Sequence, residues 1–116
     1  MKDIRKSIEY QGNEYPIIFN LNVMEALQDE YGTLEKWGEL TDGEGGEPNI
    51  KAVITGFTFM INEGIEIEND ETGTKRPLLT RKQVGRIVTE VGFKEATRIL
   101  NKTVEESTRE EGEEKN

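Results

Sequence analysis

Cysteine and histidine are both absent from the 116-residue chain. Without cysteine there is no disulfide framework and no thiolate, a composition that suits a reducing compartment. Without histidine, the usual general base and the commonest metal ligand are missing. No run of about 18 apolar residues occurs, so no segment reads as membrane-spanning. The start, Met1-Lys2-Asp3-Ile4-Arg5-Lys6, is charged, and no apolar stretch follows it as a secretory signal would require. The hydrophobic fraction is only 33%, against about 45–50% in globular domains on a count that includes glycine. That predicts a modest core with polar loops.

What the chain has in excess is negative charge: 24 acidic residues against 15 basic, a formal net charge of -9. Phosphate backbones and anionic lipid repel such a chain, so neither nucleic acid nor membrane is an expected partner. The length fits one domain with its own core.

The first element reads as a β-hairpin. Ile4, Ser7–Tyr10 and Tyr15–Phe19 are rich in β-branched and aromatic residues, and Gln11-Gly12-Asn13-Glu14 supplies turn chemistry. Pro16 lacks an N–H, which places its strand at an edge or pairs it only beyond that residue. A helix follows, capped by Asn20 or Asn22, with Val23, Met24, Leu27 and Tyr31 at helical spacing and Gly32 at its end. Thr33 caps a short second helix through Leu40. The stretch from Thr41 to Pro48 reads as a flexible, solvated loop.

Asn49 then caps the most apolar segment, Ile50 to Ile67. Ile50, Val53, Ile54, Phe57, Met60, Ile61 and Ile65 fit a helical face, while Val53, Thr55, Phe57, Phe59 and Ile61 also fit strict alternation. Its length favours helix, although Gly56 and Gly64 each weaken a helix by about 1 kcal/mol relative to alanine. Asn69 to Arg76 reads as a polar loop closed by Pro77. Thr80 and Gln83 match a capping box, opening a helix with Val84, Ile87, Val88 and Val91 inward and Gly92 at its close. A last helix begins at Phe93, with Ala96, Ile99, Leu100, Thr103 and Val104 on one stripe. The predicted class is α+β, mostly α: an N-terminal β-hairpin followed by four to five short helices packed as a small bundle. Residues 1–104 form one globular domain, and 105–116 read as an acidic, disordered tail.

No residue constellation points to catalysis. Glu63, Glu66 and Asp70 could face one way on a helix, but a bare acidic cluster reads first as a solvated face, and the 66–71 stretch lacks a calcium-loop pattern. Serines and threonines have no histidine to activate them. Gly43-Glu44-Gly45-Gly46 is flanked by acids and followed by no lysine–threonine pair, so it does not read as a phosphate loop. Lys94, Arg98 and Lys102 make a basic stripe, diluted by Glu95, Glu105 and Glu106. It reads as a solvated face, then as a contact for an acidic protein, then for DNA. The expectation is a non-enzyme with no cofactor and no metal.

Candidate partner-binding residues are therefore apolar. Trp37, the single tryptophan, is either a core anchor or a binding hot spot. Phe59 lies off the main helical face and either widens the buried surface or meets a partner. Ile65 and Ile67 close a segment more hydrophobic than one face needs, which leaves surplus for a client or for self-association.

The opening IEYQGNEYPIIFNLNVMEALQDEYG resembles the start of small tail assembly chaperones from long-tailed phages and prophages of Gram-positive bacteria. Those begin with a short hairpin around a G-N/K-E turn. An extended apolar strand follows, then a helix reading N-x-x-x-A-L-x-x-x-Y-G, here Asn22, Ala26, Leu27, Tyr31 and Gly32. LLTRKQVGRIVTEVGFKEATRILNKTVEES is similar to the family's last two helices and charged ending, so the resemblance covers roughly residues 4 to 107. It implies a protein that binds the tape-measure protein and helps recruit tail-tube subunits during tail morphogenesis. It would act in the host bacterial cytoplasm, be absent from the finished virion, and in many members exist also as a longer frameshifted form. Self-association into a homo-oligomer fits the same role. The alternative is a structural tail or head–tail connector protein that stays in the particle.

Overall fold

Two residues with positive φ, Gln11 at 51° and Gly12 at 78°, turn the chain back on itself. A two-residue loop of this hand matches the twist of the strands it joins. The computed structural model describes residues 1, 3–43 and 46–109. In it the turn connects β1 (Lys6–Tyr10) to β2 (Asn13–Ile17), antiparallel, with Ile8 opposite Tyr15 and Ser7 opposite Pro16. Bonded and non-bonded pairs alternate outward from such a turn, so Pro16 falls at a non-bonded pair, where its missing N–H removes no ladder bond. Five helices follow: α1 (Leu21–Tyr31), α2 (Leu34–Asp42), α3 (Ile50–Thr72), α4 (Arg81–Val91) and α5 (Phe93–Thr108). The architecture is the expected α+β, mostly α arrangement.

The caps explain where the helices start. Asn20, not Asn22, caps α1, its side chain accepting from the Val23 N–H at 3.2 Å. Thr33 and Asn49 do the same for α2 and α3. At α4 the capping box is complete: the Thr80 hydroxyl accepts from the Gln83 N–H, and the Gln83 side chain accepts from the Thr80 N–H at 2.8 Å. Gly92, with φ 98°, closes α4 and lets α5 begin at once.

The core is built around α3. Ala52, Val53, Phe57, Met60, Ile61 and Ile65 are all fully buried, packed with Ile17, Val23, Leu27, Val84 and Leu100 from the other elements. Both helix-weakening glycines have a packing reason. A Cβ at Gly56 would stand 2.5 Å from Trp37 Cζ2, and one at Gly64 would stand 2.8 Å from Pro16 Cβ. At each notch a helix carbonyl takes a second donor from outside: Trp37 Nε1–H donates to Ala52 O at 3.0 Å and Ile18 N–H to Met60 O at 3.2 Å. Ala52 and Met60 stand four residues before Gly56 and Gly64, so each shared carbonyl is the one the glycine N–H would itself bond.

Three boundaries and the burial of one residue differ from the sequence expectation. Helix α2 continues to Asp42, because Thr41 is buried and its hydroxyl donates to Trp37 O. Helix α3 continues to Thr72 rather than stopping at Ile67. Its polar last turns are held by the segment that follows: Asn69 exchanges two hydrogen bonds with the Arg76 backbone and Asn62 two with the Leu79 backbone. The segment is therefore clamped to the helix at Arg76 and Leu79, the two of residues 73–80 that are half-buried, while the rest stay exposed. Arg76 also lies 4.3 Å over the Tyr15 ring. Helix α5 runs to Thr108, past the expected limit at Val104, since Ser107 is buried and Lys6 pairs with Glu106 at 2.7 Å. Residues 110–116 of the expected tail lie outside the described residues. Finally Ile50, expected inward, is 62% exposed at the first helical position of α3.

A notch and an open helix position give opposite signs for chemically identical changes. Gly56→Ala should destabilise by about 1–3 kcal/mol in urea unfolding, because overpacking against the indole outweighs the gain in helix propensity. Gly85→Ala in α4, where the nearest foreign atom would be 3.8 Å away, should stabilise by about 0.5–1 kcal/mol.

The hydrogen bond from Lys6 holds the Glu106 carboxyl below its ordinary range. A depressed folded value means the contribution is present above the unfolded carboxylate pKa and is lost as pH falls through the folded one. Lys6→Met should lower the melting temperature at pH 7, and the gap to the parent protein should close below about pH 4.

Candidate protein-binding surface

Of the four apolar residues singled out in the sequence, the structure buries two. Trp37, on α2, is 3% exposed; its ring stacks on Phe19 with centroids 6.1 Å apart, and its N–H is spent on Ala52 O. Ile65 is 0% exposed on the inner face of α3. Neither reaches a partner, because hydrophobic burial inside the chain has already consumed both side chains. Trp37 is thus a core anchor.

Phe59 and Ile67 are half-buried and stand eight residues apart on α3, about 12 Å along its axis. Each lines an opening beside the first turns of α1. Phe59 borders a hollow of about 160 Å³ with Asn22, Val23, Ala26, Asn62, Glu63 and Glu66. Ile67 borders one of about 400 Å³ with Ile18, Phe19, Leu21, Asn22 and the charged Asp3 and Arg5. Asn22 belongs to both, so the hollows adjoin at the start of α1 and together form a trough: the smaller lies between α1 and α3, the larger between Ile67 of α3, the chain start and the 18–20 connection. Leu21, 71% exposed, stands on its rim.

A clasp fixes the two helices at the middle of the trough. Glu63 Oε2 accepts from Asn20 Nδ2 at 2.7 Å and from Asn22 Nδ2 at 2.9 Å. So Asn20 caps α1 and at the same time ties its start to α3. At the Ile67 end, Arg5 forms a paired hydrogen bond with Glu71, 2.9 and 3.0 Å, and also meets Asp3. Those bonds hold the Glu71 carboxyl below its usual range and raise the Arg5 guanidinium above its own.

Leu21 and Ile50 escaped the sequence reading as surface residues, and one signal could have found both. Each follows an asparagine cap and occupies the first helical position, where the side chain has no preceding turn to cover it. Ile50 borders a larger opening of about 930 Å³ with Pro48, Phe93 and Thr97. Lys51, Lys94, Asp42 and Glu47 also line it, so its rim carries both signs. The basic stripe on α5 is partly neutralised, because Arg98 donates twice to Glu95 at 2.9 and 2.7 Å. That pairing also keeps the Glu95 carboxyl below its ordinary range.

Of the acids read as facing one way, Glu63 is engaged by the asparagines, while Glu66 and Asp70 are exposed. Among the described residues no group of three or more carboxylates is placed to hold a metal ion, and no helix is long and apolar enough to cross a membrane. Compared with known proteins, the chain matches no family model, no curated protein and no solved structure.

The burial of Trp37 is directly measurable. Its emission should lie to the blue of water-exposed tryptophan, and iodide should fail to quench it until the chain unfolds.

Proposed function

We propose that this chain is a phage or prophage tail assembly chaperone: a protein that binds the tape-measure protein and helps recruit tail-tube subunits while the tail is built in the host cytoplasm. The observation that carries the reading is the apolar trough between α1 and α3, with Phe59 and Ile67 in its lining and Leu21 exposed on its rim. Exposed apolar surface in a concave setting is what a protein-binding face requires. Further support comes from the order of elements. The hairpin around Gly12-Asn13-Glu14, a helix ending in Tyr31-Gly32 and a closing helix pair run in the order the resemblance implies.

A chaperone of this kind also has to stay dispersed at high local concentration, and a net charge of -9 opposes self-aggregation. Co-expression tests the reading. The tape-measure protein encoded beside this chain should be insoluble alone and should appear in the soluble fraction, co-purifying, when the chain is present. Mass spectrometry of purified particles should find no copy of the chain. A client equally insoluble with and without it would end the proposal, and stoichiometric presence in the particle would favour a resident connector or tail protein instead.

A further inference from the structure

We propose that the α1–α3 trough docks a basic amphipathic helix of a partner protein. This deepens the chaperone reading and rests on it for the partner's role, but the argument is one of charge and shape.

The first observation is the distribution of charge. Helix α1 has no lysine or arginine, and α3 has none after Lys51. Glu25, Asp29, Glu66 and Asp70 are exposed on these two helices, and none has an ion-pair partner among the described residues. Among the described residues, the side-chain cations nearest this end are already engaged: Arg5 by Asp3 and Glu71, Arg76 by Glu68 and the Tyr15 ring. The trough thus has apolar residues on each side of the Asn20–Asn22–Glu63 clasp and an acidic surround; the Met1 α-amino group, which lines the larger hollow, is a further cation there among the described residues. A cationic partner gains from every unpaired carboxylate, whereas nucleic acid or anionic lipid is repelled.

The second observation is shape. Phe59 and Ile67 are about 12 Å apart along α3, the span of two helical turns. A helix lying along the trough presents apolar residues at i and i+7 or i+8 at that repeat. Around Phe59 the walls are α1 and α3, whose main-chain groups are internally bonded, so an extended peptide finds no strand edge to pair with at that end; residues 3, 5 and 18–20, which line the hollow at Ile67, are not helical. A helix brings its own backbone bonds and asks only for side-chain contacts. A second copy of this chain, docked trough to trough, would set the same unpaired acids against one another across a two-fold axis, which like-charge repulsion opposes.

The test uses the full chain and a fluorescein-labelled synthetic peptide of about five helical turns, leucines on one face and lysines on the other. Anisotropy titration at low salt should show saturable binding. Leu21→Ser and Glu66→Lys, both surface changes checked for unaltered melting temperature, should each weaken it by about tenfold. A lysine–glycine–serine peptide of equal charge should bind at least about tenfold more weakly. Equal binding of that control would reduce the effect to bulk charge and overturn the proposal. So would unchanged affinity in both variants, or a concentration-dependent dimer, seen by sedimentation, that Leu21→Ser abolishes. The two readings separate in the co-expression assay. If the Leu21→Ser, Glu66→Lys double variant still solubilises the tape-measure protein, the trough assignment fails and the chaperone reading stands. If the parent chain solubilises nothing, the chaperone reading fails whatever the peptide does.

Discussion

The fold depends on how closely other elements approach the backbone of α3. At Gly56 the Trp37 ring, and at Gly64 Pro16 of the hairpin, come nearer than any side chain at those positions would allow. Removing a Cβ costs helix propensity locally. What it permits is a hydrogen bond from the indole and one from the Ile18 N–H onto carbonyls of the helix interior. The two notches lie eight residues apart on one helix. They tie α2 and the β-hairpin to it at fixed heights. The trough inherits this, because its floor is part of the same helix and its other wall, α1, follows the hairpin after only three residues.

Burial and partner binding compete for the same apolar side chains in a chain this poor in them. Trp37 and Ile65 went to the interior, which leaves the recognition surface to smaller numbers of half-covered residues and to charge. An acid-rich surface around an apolar hollow is a division of labour. On the proposed reading the hollow supplies contact area, while the surround sets the sign of what is admitted and speeds its approach.

Much of the fold was legible because local chemistry and global position agree. The asparagine and threonine caps, the capping box at Thr80 and the glycine ends at Gly32 and Gly92 mark elements without reference to anything distant. The errors arose where distant contacts decide. The last turns of α3 look like loop because Asn69-Asp70-Glu71-Thr72 is polar; they are helical because Asn69 grips Arg76 across a reversal. The end of α5 looks like tail, yet its Ser107 is covered and Glu106 finds Lys6 about a hundred residues back. Gly56 and Gly64 read as defects because the residues that fill their notches are remote in sequence. The candidate site was half legible. Phe59 was marked by being off the helical face. Leu21 was missed, because a hydrophobicity pattern does not say that the first residue after a cap stays uncovered; the asparagine cap before it does.

The clamps at Asn62 and Asn69 have one more consequence. Seven residues of helix rise about 10.5 Å. The backbone they grip, from Arg76 back to Leu79, is three residues long and, extended, spans about 10 Å. The two repeats coincide only at this ratio, so the helix and the segment beside it act together as a vernier. A single residue added or lost between the grips would put one of them about 3 Å out of step and disengage it. The stretch from Arg76 to Leu79 therefore tolerates changes of side chain far more readily than changes of length.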